Sequence, residues 1–237
     1  MLHRDPLTIA VAQPPTMAFD VAANARTHAA VVRAAGARVV VFPELSLTGY
    51  ELDAPVITCE DPRLIPIVEA CAETRSVALA GALVRGEQDR PSIATLAVDA
   101  SGVLVAYRKM CLGGQEPERF QAGEKPSVLE VGGWRLGLAI CKDMGVPRQA
   151  AETAELGMDA YVAGVCELEE DLPIMEERAR RVVADHRVWV AVASFAGPTG
   201  GGFARTAGRS GLWSPEGAVI ARADADPGSL ARATLTG

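Results

Sequence analysis

Cys141 closes an apolar run, Leu136-Gly137-Leu138-Ala139-Ile140, and is followed by Lys142-Asp143-Met144-Gly145-Val146-Pro147. That order describes a buried strand delivering a thiol to the edge of a sheet, where a helix begins. Two other apolar runs end on reactive groups: Val39 to Pro43 delivers Glu44, and Leu104 to Arg108 delivers Lys109. A thiol, a carboxylate and an ammonium at three strand ends can be brought together by one sheet, and such a trio can run nucleophilic acyl chemistry without histidine. The chemistry to expect is cysteine-dependent amide hydrolysis.

The elements that must position these groups alternate along the chain. Strands are expected at Thr8 to Gln13 and Arg38 to Phe42, with a helix between them capped by Asp20 or Asn24 and closed by Gly36. A helix from Pro62 to Arg75 precedes strands at Val77 to Val84, Ile93 to Val98 and Val103 to Arg108. Gly132-Gly133 makes a tight hairpin between Val128 to Val131 and Trp134 to Ile140. Helices at Pro147 to Leu156 and Pro173 to Asp185 then alternate with strands at Ala160 to Ala163 and Val188 to Phe195. A last hairpin joins Ser210 to Trp213 with Ala218 to Ala221. Helices between strands early and late, with hairpins in the middle, imply an α/β fold of mixed sheets covered by helices. No linker or repeat divides the chain, so residues 1–237 are read as one domain. Gly86 to Pro91, Gly113 to Lys125 and Gly197 to Gly202 are the expected flexible loops, the last two placed to flank a site.

Bulk properties narrow the function further. A chain of 237 residues with 49% hydrophobic content can bury a full core. A net charge of −7 argues against nucleic acid or an anionic membrane surface as partner. No apolar stretch reaches the ~20 residues that span a bilayer, and Met1 to Pro6 lacks a signal-peptide core. Five scattered cysteines without CxxC spacing suggest neither a disulfide framework nor a zinc site, and point to a reduced, cytoplasmic protein.

Three blocks then carry a resemblance: Val41-Phe42-Pro43-Glu44-Leu45-Ser46-Leu47-Thr48-Gly49-Tyr50, Tyr107-Arg108-Lys109, and Gly137-Leu138-Ala139-Ile140-Cys141-Lys142-Asp143. In order and spacing they resemble the motifs of the nitrilase superfamily, the carbon–nitrogen hydrolases, in its amidase-like branch. The similarity runs from near residue 7 to about residue 222. Ala179-Arg180-Arg181 to Val192 resembles the family's helix and strand after the nucleophile, and Gly208-Arg209-Ser210 to Val219 its late hairpin. The resemblance implies a four-layer α-β-β-α sandwich, usually assembled as a homodimer or higher homo-oligomer through helices.

Carried over by position, Cys141 is the nucleophile, Glu44 the general base and Lys109 the stabiliser of thiolate and oxyanion. The Lys142 N–H is placed to complete an oxyanion hole. Glu116, four residues before Phe120, resembles the family's second glutamate, which orients substrate and holds the lysine charged; Glu118 is its neighbour. Lys142, Cys166 and the residues near Cys166 are expected to line the pocket. The reaction alternates thiol and thioester, so no metal and no organic cofactor is implied. The implied substrate is a small linear amide, with N-carbamoyl amides or nitriles as alternatives for the same triad. A non-catalytic member of the fold and a partner-dependent glutaminase are the readings from other classes.

Four departures bear on substrate class: Cys111, Lys142, Arg148 and Ser194 stand where many members carry histidine, an aromatic, glutamate and asparagine. Each element of the reading also has a plainer alternative. A cysteine ending an apolar strand is most often a small buried hydrophobe, and the acidic run Glu167 to Asp171 with Glu176-Glu177 reads as a solvated face. His3, His28 and His186 have no partner near the Cys141 motif and read as structural.

Overall fold

The computed structural model describes residues 4–86 and 90–237; His3, the start of the Met1 to Pro6 segment and the centre of the Gly86 to Pro91 loop lie outside the described residues. Two six-stranded sheets stack face to face. The first contains β1 (Leu7–Ala12), β2 (Val39–Val41), β3 (Val77–Arg85), β4 (Pro91–Asp99) and β5 (Gly102–Arg108). The second is built on β6 (Val128–Val131), β7 (Trp134–Ile140), β8 (Ala160–Val165) and β9 (Trp189–Ser194). A short ribbon of β10 (Ala196–Gly197) and β11 (Thr206–Ala207) stands apart, while β12 (Gly211–Trp213) and β13 (Val219–Arg222) extend the second sheet beyond β9. Strand β14 (Leu230–Leu235) returns to the first sheet and pairs antiparallel with β1. Parallel pairing joins β1 to β2 to β3, and β7 to β8 to β9; hairpins supply the antiparallel remainder.

Period-two alternation explains the layering. On β1, Ile9 and Val11 point between the sheets, while Ala10 and Ala12 face helices α1 (Val21–Ala35) and α2 (Ile65–Thr74). On β8, Ala160 and Val162 point inward, and Tyr161, Ala163 and Val165 face the opposite helix layer. That layer is α4 (Pro147–Glu155) and α5 (Leu172–His186), with α3 (Glu116–Arg119) a single turn near the site. The sandwich is therefore α-β-β-α. Each large side chain buried between layers contributes ~1.5–3 kcal/mol of transfer free energy.

Several boundaries differ from expectation. Pro62–Leu64 forms a separate 3-10 turn before α2 instead of the helix's first turn. Asp20 does cap α1, accepting from the Ala23 N–H at 2.9 Å, but Asn24 is buried inside the helix and bonds neighbouring loops. Strand β14 was absent from the sequence pattern. Its Arg232 and Thr234 face outward, and the strand reads as a polar tail until its pairing with β1 is seen.

Candidate active site

Glu44 sits in a tight turn after β2, and the turn fits because two strands lack side chains beside it. A Cβ on Gly81 of β3 would fall 2.2 Å from the Leu45 nitrogen, and one on Gly164 of β8 would fall 2.6 Å from the Phe42 carbonyl oxygen. Leu45 completes the turn at φ +53°, unusual for a branched residue. His28 secures it from behind. A carbonyl can only accept, so His28 Nδ1–H donates to the Asn24 carbonyl at 2.7 Å and Nε2 accepts from Ser46 Oγ at 2.9 Å. Burial lowers this imidazole to about 4, so it stays neutral and structural.

Lys109 lies just beyond β5 and is almost fully buried, at 1% exposure. Its Nζ donates to Glu44 Oε1 and to Glu116 Oε1, each at 2.7 Å. Glu116, from α3, also accepts from the Tyr50 hydroxyl at 2.6 Å and from the Gly113 N–H at 2.8 Å. Three donors thus engage Glu116, whereas Glu44 Oε2 is buried without a hydrogen-bond partner among the described residues. Burial raises the Glu44 carboxyl to about 7; Lys109 pulls it down, and the Glu116 charge on the far side of the ammonium pushes it back up. Burial alone would lower Lys109, but Glu44, Cys141 once it ionises, and Glu116 together hold it above the ordinary lysine range.

Cys141 immediately follows β7 at φ +43°, a left-handed conformation that costs a non-glycine residue ~1–3 kcal/mol. The strain lifts the thiol out of the strand into a cleft of about 640 Å³, as at other strand-to-helix turns that present a nucleophile. Asp143 holds the turn in place. It accepts from the Ile140 N–H at 2.9 Å, the Tyr107 hydroxyl at 2.8 Å and the Cys111 N–H at 2.8 Å. One carboxylate therefore ties the cysteine turn to the loop that carries Lys109. Gln149 of α4 extends the network by donating to the Tyr107 hydroxyl and accepting from Tyr161. Asp143→Ala would orphan three donors, two of them buried, and is expected to cost about 3 kcal/mol in urea denaturation, with Asp143→Asn costing less.

Of the residues singled out in the sequence, Lys109 bridges Glu44 and Glu116, and Lys109, Glu116 and Cys141 line one cleft, with Cys141 close enough to act electrostatically on both Glu44 and Lys109. Lys142 and Cys166 line the cleft, with the Lys142 stem lying along Gly113. Glu118 is exposed and away from this centre. Two side chains not singled out by number as site residues also line the cleft. Glu167 brings Oε1 to 3.7 Å from Cys141 Sγ, and Arg178 Nη1 donates to the same oxygen at 2.7 Å. Glu167 is thus not part of a solvated acidic face. Glu176, from the same expected face, is also engaged, by Arg180 and Arg222. The thiol itself lies well above its ordinary value, raised by burial and by the Glu44 and Glu167 charges against the opposing pull of Lys109.

The carbon–nitrogen hydrolase family model matches residues 8–236. The chain belongs to that family. This carbon–nitrogen hydrolase matches its family through β14, beyond the limit near residue 222 expected from the motifs. A protein of Pseudomonas protegens described as "Hydrolase in pqqF 5'region" is 28% identical over 229 residues, covering 93% of this chain and 80% of its own. The omega-amidase YafV of Escherichia coli K12 is 24% identical over 233 residues, covering 97% and 90%. Among solved structures, Saccharomyces cerevisiae Nit3, a member of branch 10 of the nitrilase superfamily, superposes with a TM-score of 0.87 at 20% identity, covering 100% of this chain and 92% of that one. An amidase from Nesterenkonia sp. AN1 superposes with a TM-score of 0.84 at 21% identity, covering 97% and 90%. At those identities the superpositions establish the nitrilase-superfamily fold. Among the described residues of this hydrolase, no helix is long and apolar enough to cross a membrane.

Proposed function

We propose that this hydrolase converts a small linear amide to a carboxylate and ammonia through a thioester on Cys141. The observation that carries the reading is the buried Lys109 ammonium shared between Glu44 and Glu116 at 2.7 Å, beside a strained cysteine, with Glu44 Oε2 left unpaired. Cys141 Sγ attacks the amide carbon while its proton passes to Glu44. The raised thiol is protonated at rest, so attack and proton transfer must be linked, and a carboxyl near 7 is matched to that task. Lys109 and the Lys142 N–H stabilise the oxyanion; one such donor is typically worth about 3 kcal/mol. Glu44 returns the proton to the departing nitrogen, which leaves as ammonia. It then takes a proton from water attacking the thioester, and the carboxylate departs with the thiol restored. That relatives include proteins described as an omega-amidase, an (R)-stereoselective amidase and a formamidase supports an amide substrate.

The test is ammonia release from a panel of short-chain amides, dicarboxylate mono-amides, N-carbamoyl amino acids and nitriles. Amides are expected to react, and Cys141→Ala to lower the rate by on the order of 10⁴-fold or more while the fold persists. Mass spectrometry should trap the acyl adduct on Cys141 in the parent protein. Release confined to nitriles, or undiminished in the alanine variant, would sink the assignment.

A further inference from the structure

The mechanism just given has no use for Glu167. A second carboxylate 3.7 Å from the sulfur opposes both the thiolate and the oxyanion, and its charge is among the causes that raise the thiol. Yet the side chain is held deliberately. Its Oε1 takes the Arg178 guanidinium at 2.7 Å, and Arg178 in turn lies against the cysteine turn, where a Cβ on Gly145 would meet the guanidinium at 3.3 Å. Only 13% of the Glu167 side chain and 21% of Arg178 are exposed, so the pair is built into the cleft wall instead of reaching into solvent.

The position selects what Glu167 can recognise. Glu44 is buried beneath the cleft and Lys109 is committed to the two glutamates, so the reacting carbonyl is handled from below. Glu167 approaches the sulfur from the wall, beside the Cys166 carbonyl, which lies 3.6 Å from Sγ. Once an acyl group is joined to that sulfur, the substituents on its first carbon lie within reach of the carboxylate. Oε1 accepts from Arg178 at 2.7 Å and from the Cys141 thiol at 3.7 Å, while Oε2 is not among the buried oxygens left without a partner and so meets the open cleft. A carboxylate oxygen on the cleft wall loses its water when an acyl group fills the cleft and then needs a donor, which an apolar or anionic acyl group does not offer. Burial raises the Glu167 carboxyl and Arg178 opposes the rise, the pattern of a charge kept available at some cost.

We propose that Glu167, braced by Arg178, determines specificity in the acyl pocket and selects amides that carry an amino or hydroxyl donor on the carbon next to the carbonyl. The inference rests on the amidase reading for its substrate class, and on the geometry at Cys141 alone for the role of the carboxylate. Lys142, also in the wall, forms no ion pair among the described residues and would instead favour a carboxylate-bearing amide, so the two groups make opposite demands that experiment can separate.

The experiment compares kcat/KM for propanamide, 2-aminopropanamide, 2-hydroxypropanamide and the mono-amide of butanedioic acid in the parent enzyme and in Glu167→Gln. The two donor-bearing amides are expected to exceed propanamide by roughly tenfold or more, and Glu167→Gln to erase most of the advantage of the 2-amino compound. Preference for the butanedioic mono-amide, or a 2-amino to unsubstituted ratio unchanged by Glu167→Gln, would overturn the proposal. A second measurement decides the matter even if no amide is turned over. Cys141 is modified with cationic 2-aminoethyl and anionic 2-sulfonatoethyl methanethiosulfonate, and the site followed by mass spectrometry. The cation-to-anion rate ratio cancels any change in thiol acidity; it is expected to fall severalfold in Glu167→Gln, and an unchanged ratio would remove the carboxylate from the acyl pocket. Turnover failing while the ratio shifts would refute the amidase reading and leave the recognition role of Glu167 standing.

Discussion

Glu44→Gln is expected to lower kcat/KM by about 10³–10⁴-fold and to remove the low-pH limb of the activity profile. Glutamine keeps the size of the side chain and can still accept from Lys109, so the variant isolates the proton-transfer function. In the parent enzyme the carboxyl is raised to about 7, chiefly by burial, with Lys109 drawing it down and Glu116 opposing that pull. Only the carboxylate can take the thiol proton. Activity should therefore rise about tenfold per pH unit on the acid side and level off above about 7, where Glu44 is ionised. The protonated thiol cannot supply this limb, because burial and two neighbouring carboxylates hold it well above its ordinary value. A pH series of kcat/KM on the best amide, run for both proteins, checks the assignment. A limb that persists in Glu44→Gln would give the titration to another group, and near-normal turnover in the variant would end the role of Glu44 as base.

Much of this centre was legible before any coordinates, and for a physical reason. Glu44, Lys109 and Cys141 each end an apolar run, and an apolar run of strand length says where the chain is buried and where it emerges. The four layers were legible only through the family resemblance, because Ile9, Ala10, Val11 and Ala12 are all apolar and their division between the two faces appears only in the packing. What stayed hidden depends on contacts between distant segments. Glu167 opens an acidic run, and composition alone assigns such a run to solvent. Its burial follows from Leu168 bridging to Thr206 and from Arg178 one helix later, neither of which has a local signature. Asp143 was visible beside the cysteine, but its clamp on Cys111 requires the Lys109 loop to lie against the end of β7. Gly81 and Gly164 carry no motif either, since the slot they open for Glu44 exists only when β3 and β8 face each other across it. Spacing reveals which groups a strand delivers; the walls around them are set by tertiary packing.

Lys109→Met is expected to abolish turnover and also to destabilise the fold, by roughly 3–5 kcal/mol near neutral pH, the range for removing one member of a buried charge cluster. For a domain of this size that corresponds to a fall in Tm on the order of 10 °C. The stem of methionine fills similar space, so the deficit reports charge more than packing. Without the ammonium, Glu44 and Glu116 face each other across a dry gap, and no other cation contacts either of them among the described residues. Glu44, which burial already raises, must then move further above its unfolded-chain value and bind a proton near neutral pH. A carboxyl raised on folding contributes stability that is present at low pH and is lost as pH climbs through the folded value. The melting deficit of Lys109→Met should therefore be small near pH 5 and large near pH 8. Cys141→Ala, which leaves the cluster intact, should melt close to the parent at both. A deficit independent of pH would mean that Lys109 acts through packing, and the shared-cation account of the site would have to be given up.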